Sequence, residues 1–205
     1  MKKDIEQTDP TSETILTNGL EEVMTTGVRA FTVESLANRL GMSKKTIYKF
    51  FPSKEVLIRN IMEFMTGRIK RQFDAILLTE PNAALQFIGV LMVISKQISN
   101  VSPERIAEVK VRYPQIWRDV EAFRFERMEN MRGIFQLGQE QGLVRDDLNV
   151  DHVAKLFSTI INHIFQPEFF VQNQVTIRET FDLMIQIFSR GLFTEEGRTI
   201  IEDAL

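Results

Sequence analysis

A chain of 205 residues, 43% of them hydrophobic, can bury a substantial core as one helical domain or as a small domain joined to a larger one. It has no cysteine, which excludes disulfides, thiolate chemistry and Cys-ligated metal and makes a reducing cytoplasm the simplest setting. The formal charge of -3 excludes a uniformly basic nucleic-acid binder, but the first 70 residues are net positive and the rest net negative; between Ser43 and Arg59, Lys44, Lys45, Lys49, Lys54 and Arg59 are opposed only by Glu55.

Residues 1–10 are polar, lack the apolar stretch of a signal peptide and are expected to form a flexible tail. Over residues 12–26, Ile15, Leu16, Leu20, Val23 and Met24 recur at helical spacing, and Gly27 supplies a stop. Phe31 then precedes Thr32, whose hydroxyl suits the cap of a second helix with Leu36, Ala37 and Leu40 on its buried side and Gly41 at its end. Ser43 caps a third helix running to Phe50, with Ile47 inward. Pro52 ends it, and Ser53 caps a fourth with Val56, Leu57, Ile61 and Met65 along its seam.

Two short helices joined by a tight Gly-containing turn have helix-turn-helix geometry, which lays the second helix in the major groove of DNA. The reading helix is then Ser43 to Phe50. Lys45 and Thr46, near its N-terminal end, are the candidates for base contact. Lys44, Tyr48 and Lys49 suit the DNA backbone, and Thr32 and Lys54 suit phosphates at the starts of the second and fourth helices. Each has a plainer reading as a solvated lysine, a half-buried tyrosine or a threonine that only caps; their order within the pattern favours DNA.

Beyond residue 70 the pattern stays helical. Residues 83–98 carry Phe87, Val90, Leu91 and Ile94, and the run is far shorter than the roughly 20 apolar residues needed to cross a bilayer. After a break at 100–103 come a helix at 104–111, limited by Pro114, and a long segment at 115–141 with Trp117, Val120, Phe125, Met128, Met131 and Phe135, ended by Gly142. Asp151 starts a helix with Ala154, Phe157, Ile160, Ile161 and Ile164. A break at 167–173 precedes the last major helix, with Phe181, Met184, Ile185 and Phe188, which ends near Gly191. The fold class is all-α, divided into the tail at 1–10, a helix-turn-helix domain at 11–55 and a helical effector-binding and dimerisation domain at 56–205. No phosphate-binding loop, dinucleotide fingerprint, nucleophile elbow or His-Glu-x-x-His pattern is present. The two histidines, His152 and His163, form no cluster. An enzyme, a metal site and a cofactor are not expected.

The run from Thr14 to Arg59 closely resembles the N-terminal domain of TetR-type bacterial transcriptional regulators. The resemblance lies in Gly27, Phe31-Thr32-Val33-Glu34-Ser35-Leu36-Ala37, Leu40-Gly41-Met42-Ser43, Thr46-Ile47-Tyr48, Phe50-Phe51 and Ser53-Lys54-Glu55-Val56-Leu57. It implies phosphate contacts at Thr32, Tyr48 and Lys54, and base or backbone contacts from Ser43, Lys44, Lys45, Thr46 and Lys49. Lys49 departs from the residues common before the final Phe, which puts operator preference in doubt. The resemblance also implies a homodimer on a palindromic double-stranded operator, with Phe157, Ile160, Ile161, Ile164, Phe181, Met184, Ile185 and Phe188 at its interface. It further implies an effector-sensing body; Phe87, Leu91, Trp117, Phe125, Met128 and Phe157 are the candidates to converge on an apolar small molecule, with Arg124, Arg127 or His163 at a polar end, beside the plainer reading of such apolar residues as ordinary core. Repression relieved by the effector is the expected behaviour. The alternative is a body that serves only dimerisation and protein interaction.

Overall fold

The computed structural model describes residues 9–98 and 102–205. Residues 1–8 of the expected tail and residues 100–101 of the expected break at 100–103 lie outside the described residues. Four helices build the head. In α1 (Pro10–Ala30) the Asp9 side chain accepts from the Thr11 N–H at 2.7 Å and Pro10 sits at the first position, where its missing N–H costs no hydrogen bond. Gly27, at φ 81° and ψ 159°, breaks the helix where the sequence indicates a stop, and one further turn then reaches Ala30. Thr32 caps α2 (Val33–Leu40) by accepting from the Ser35 N–H at 3.0 Å. Gly41 closes that helix at φ 63°, the left-handed geometry that a side chain disfavours. Ser43 caps α3 (Lys44–Phe50) and Ser53 caps α4 (Lys54–Thr79), each accepting at 3.1 Å from the N–H three residues on. Ile15, Phe31, Leu36, Ile47, Leu57, Ile58 and Ile61, contributed by all four helices and the α1–α2 link, are fully buried where these elements meet. α4 starts in this core and continues into the body, so head and body share one rod.

The body comprises α5 (Ala83–Ile98), α6 (Pro103–Arg112), α7 (Pro114–Glu129), α8 (Met131–Glu140), α9 (Val150–Ile164), α10 (Pro167–Asn173), α11 (Ile177–Leu192) and α12 (Glu195–Asp203). Its centre is a phenylalanine cluster in which the Phe87 ring lies 6.0 Å from Phe135, 6.2 Å from Phe157 and 5.0 Å from Phe193, spacings of favourable tilted aromatic pairs. Three features differ from the sequence expectation. The segment at 115–141 divides at Asn130, whose N–H reaches back to the Arg127 carbonyl at 3.3 Å, a tightened turn between α7 and α8. The expected break at 167–173 is the short helix α10, which Pro167 can begin because the first helical position needs no N–H donor. α12 follows α11 after a Thr194 cap and buries Ile201 against the body; its charged sequence, with apolar Ile200 and Ile201 side by side, carries no helical stripe. Among the described residues there is no strand, only an isolated bridge between Val144 and Phe193, and no helix is long and apolar enough to cross a membrane.

Candidate nucleic-acid interface and cavity

The α2–α3 turn is built from the left-handed Gly41, then Met42, whose N–H donates to the Ala37 carbonyl at 2.9 Å, then the extended Ser43. Ile47 anchors α3 in the head core, and this fixes which side faces out: Lys44, Lys45, Tyr48 and Lys49 are exposed. Ser43 and Thr46 are joined hydroxyl to hydroxyl at 2.9 Å, so both are held at the helix entry. Lys44 pairs with Glu34 at 3.5 Å, a contact between exposed groups that is worth little and is readily exchanged for a phosphate. The exposed Thr32 uses its oxygen as a cap and keeps a hydroxyl proton to donate.

Lys54 does not fit the phosphate role read from the sequence. Its ammonium donates to the Val28 carbonyl at 3.0 Å and to the Phe31 carbonyl, and it lies 5.6 Å from the centre of the Phe31 ring. Burial, with the Arg112 charge nearby, pulls its pKa below the usual lysine value. The side chain ties the end of α1 to the start of α4. Lys54→Met is expected to lower stability by about 1–3 kcal/mol, the cost of stranding buried carbonyls. The salt dependence of DNA binding is expected to stay unchanged, whereas loss of a phosphate contact would reduce its slope by roughly one; parallel melts and salt titrations separate the two roles.

Where the head meets the body, a cavity of about 170 Å³ is enclosed by residues of α1, α4, α5, α6, α7, α9, α10 and α11. Leu91, Trp117 and Met128 line it, as the sequence suggested, together with Arg124 and Arg127. Phe87 and Phe157 do not line it; they are fully buried in the phenylalanine cluster. Phe125 is 55% exposed on the outer face of α7, because the α7 residues that line the cavity, Trp117, Val120, Phe123, Arg124, Arg127 and Met128, lie on another side of the helix. His163 is exposed on α9, with Nδ1 3.0 Å from the Thr159 carbonyl. Sequence reading missed the head's share of the wall: Val23 and Met24 of α1 and Met62, Met65 and Ile69 of α4. Their helical spacing is that of ordinary core, so no sequence signal marked them.

The same helices hold the head to the body. The Arg29 N–H donates to Glu108 of α6 at 3.0 Å, Arg105 of α6 donates to the Met24 carbonyl at 3.3 Å, and Arg59 of α4 pairs with Asp119 of α7 at 2.9 Å. Lys110 fastens α6 to Glu168 of α10 at 2.8 Å. Met24 thus touches both the cavity and a head-to-body hydrogen bond.

Five of the side chains expected at a dimer interface are turned inward. Phe157, Ile161, Phe181, Met184 and Ile185 are at most 6% exposed in a single chain, so no partner can reach them. Ile160, Ile164 and Phe188 are half-buried. α9 and α11 are apolar on more than one face, and the outward apolar residues are Leu156, Leu183 and Ile187, at 61%, 55% and 58% exposure.

Residues 15–61, which span the capped helices and the turn, match the model of the bacterial regulatory proteins of the tetR family. The N-terminal domain is that of the TetR family. Over 168 residues the chain is 23% identical to YvaF, an HTH-type transcriptional regulator of Bacillus subtilis (strain 168), covering 82% of this chain and 88% of that one. A transcriptional regulator from Cytophaga hutchinsonii ATCC 33406 shares the fold at a TM-score of 0.68 and 18% identity, over 91% of this chain and all (100%) of that one. A regulator from Saccharomonospora viridis, solved in complex with choline, shares it at 0.68 and 16% identity, over 89% and 97% of the two chains. The TetR-family domain makes this protein a DNA-binding transcriptional regulator, and the all-α body behind it has the architecture of those relatives.

Proposed function

We propose that the protein is a homodimeric repressor that leaves a palindromic operator when a small apolar effector enters the cavity between head and body. The observation that carries this reading is the shared wall: Val23 and Met24 belong to the helix that packs behind the reading head, and they line the same space as Leu91, Trp117 and Met128. A ligand there touches the head directly. It shifts the head only by as much as it binds the released and DNA-bound arrangements differently. A fold relative solved with choline supports a small-molecule role for such a body. Lys45 and Thr46 are assigned to base edges, and Thr32, Lys44, Tyr48 and Lys49 to the DNA backbone, with Ser43 holding Thr46 in place. Leu156 and Ile160 on α9 and Leu183, Ile187 and Phe188 on α11 form the self-complementary dimer face. Two heads then reach half-sites about 34–36 Å apart.

The test is selection of bound duplexes from a random library by the full chain at two salt concentrations. A palindrome is expected at both. Lys45→Ala or Thr46→Ala relaxes the selected base at one position in each half-site, at about 1–3 kcal/mol of discrimination. Lys49→Ala weakens all sequences alike. Enrichment of no sequence at either salt would reject the reading.

A further inference from the structure

We infer that the effector is a compact apolar carboxylate whose acid group is received by Arg127 and Trp117, an inference that rests on the sensor reading above. Trp117 Nε1 and Arg127 Nε are buried hydrogen-bond donors without a partner. Each residue is 6% exposed and each lines the cavity. Buried donors are almost always satisfied, so two unmet ones in a single wall point to an acceptor that a ligand brings. The rest of the polar lining is Thr66, Arg105 and Arg124, and no Asp or Glu is part of it. A cation would therefore find no carboxylate in the wall, whereas a carboxylate meets unmet donors held by a guanidinium and an indole. Arg127 is already oriented, with one terminal nitrogen donating to Asp74 at 3.1 Å and the other to Glu126, which leaves Nε as the donor to spare. The space of about 170 Å³ is close to that of an engineered apolar cavity of about 150 Å³ that takes a benzene ring. This sets the apolar part at roughly six to ten non-hydrogen atoms. Met24, Met62 and Met65, flexible and polarizable, allow a chain or a ring.

Trp117 is the single tryptophan of the chain, so its fluorescence reports on the site. The full-length protein is titrated with octanoate and 3-phenylpropanoate, and with octan-1-ol and octylamine as the neutral and cationic counterparts. Saturable change with both carboxylates is expected, at least tenfold weaker binding of the alcohol, and none of the amine. Arg127→Lys keeps the charge and removes Nε; it is expected to weaken octanoate by about 10- to 100-fold, the range for a hydrogen bond to a charged group, while a melt confirms the fold. Trp117→Phe, followed by calorimetry, weakens it in the same direction. Equal binding of alcohol and carboxylate, or unchanged octanoate binding by Arg127→Lys, overturns the inference and leaves the cavity as an apolar sensor site. Saturable binding by none of the four probes overturns both the carboxylate and the sensor reading.

Discussion

Replacing Leu183 and Ile187 together by Glu is expected to give a folded monomer whose operator binding is at least a hundredfold weaker. Both side chains are more than half exposed in the single chain, so the charges cost the monomer little, within about 0.5 kcal/mol each. In a two-fold dimer each residue is met by the same face of a second copy, and four carboxylates would be brought together on apolar surface. Leu156 and the half-buried Ile160 on α9 continue the same outward apolar surface. A single head can occupy one half-site only. Losing the second head removes the gain from joining two binding modules, which is of order 10²–10⁴. Light scattering gives the mass and fluorescence anisotropy the affinity. A double variant that remains dimeric would move the interface elsewhere.

Phe87→Ala is expected to be the most damaging single truncation, at about 3–5 kcal/mol, because the fully buried ring is shared by Phe135, Phe157 and Phe193 and its removal leaves a hole where α5, α8, α9 and the α11–α12 link meet. Phe125→Ala, read from the sequence as an equivalent lining residue, is expected to change stability by no more than about 0.5 kcal/mol, because the ring is 55% exposed. Melts at one protein concentration, which keep dimerisation constant, compare the two. Similar losses would contradict the placement of both residues.

The contrast between these phenylalanines shows what was legible in the sequence. The head was readable almost residue by residue, because each of its helices opens on a side chain that does one local job: Thr32, Ser43 and Ser53 each accept the N–H three residues on. Gly41 closes α2 in the one conformation that favours glycine. Such signals act over a single turn and need no knowledge of the fold. The body offered periodicity instead, and periodicity finds helices without saying which of two apolar stripes faces inward. α11 carries Phe181, Met184 and Ile185 on one side and Leu183 and Ile187 on another, and only tertiary packing, such as Phe181 against Phe165, decides between them. Lys54 was misread for a related reason. A lysine beside a helix start suggests a phosphate, but its partners are carbonyls 23 and 26 residues earlier in the chain, brought close by the turn of α1 into α2. The opposition between its charge and the positive end of α4 was the available hint that something other than the helix held it. The cavity wall was only partly visible, since part of it comes from α1 and α4, whose Met24, Met62 and Met65 have the spacing of core residues.

Occupancy of this cavity and occupancy of the operator are expected to oppose each other. A compound that saturates the Trp117 signal is titrated into the protein bound to its selected, labelled operator, and tryptophan emission and DNA anisotropy are followed in the same cuvette. Operator affinity is expected to fall at least tenfold as the Trp117 signal saturates, and the compound to bind the DNA-bound protein more weakly by the same factor, as linkage requires. Unchanged operator affinity with the cavity full would contradict it.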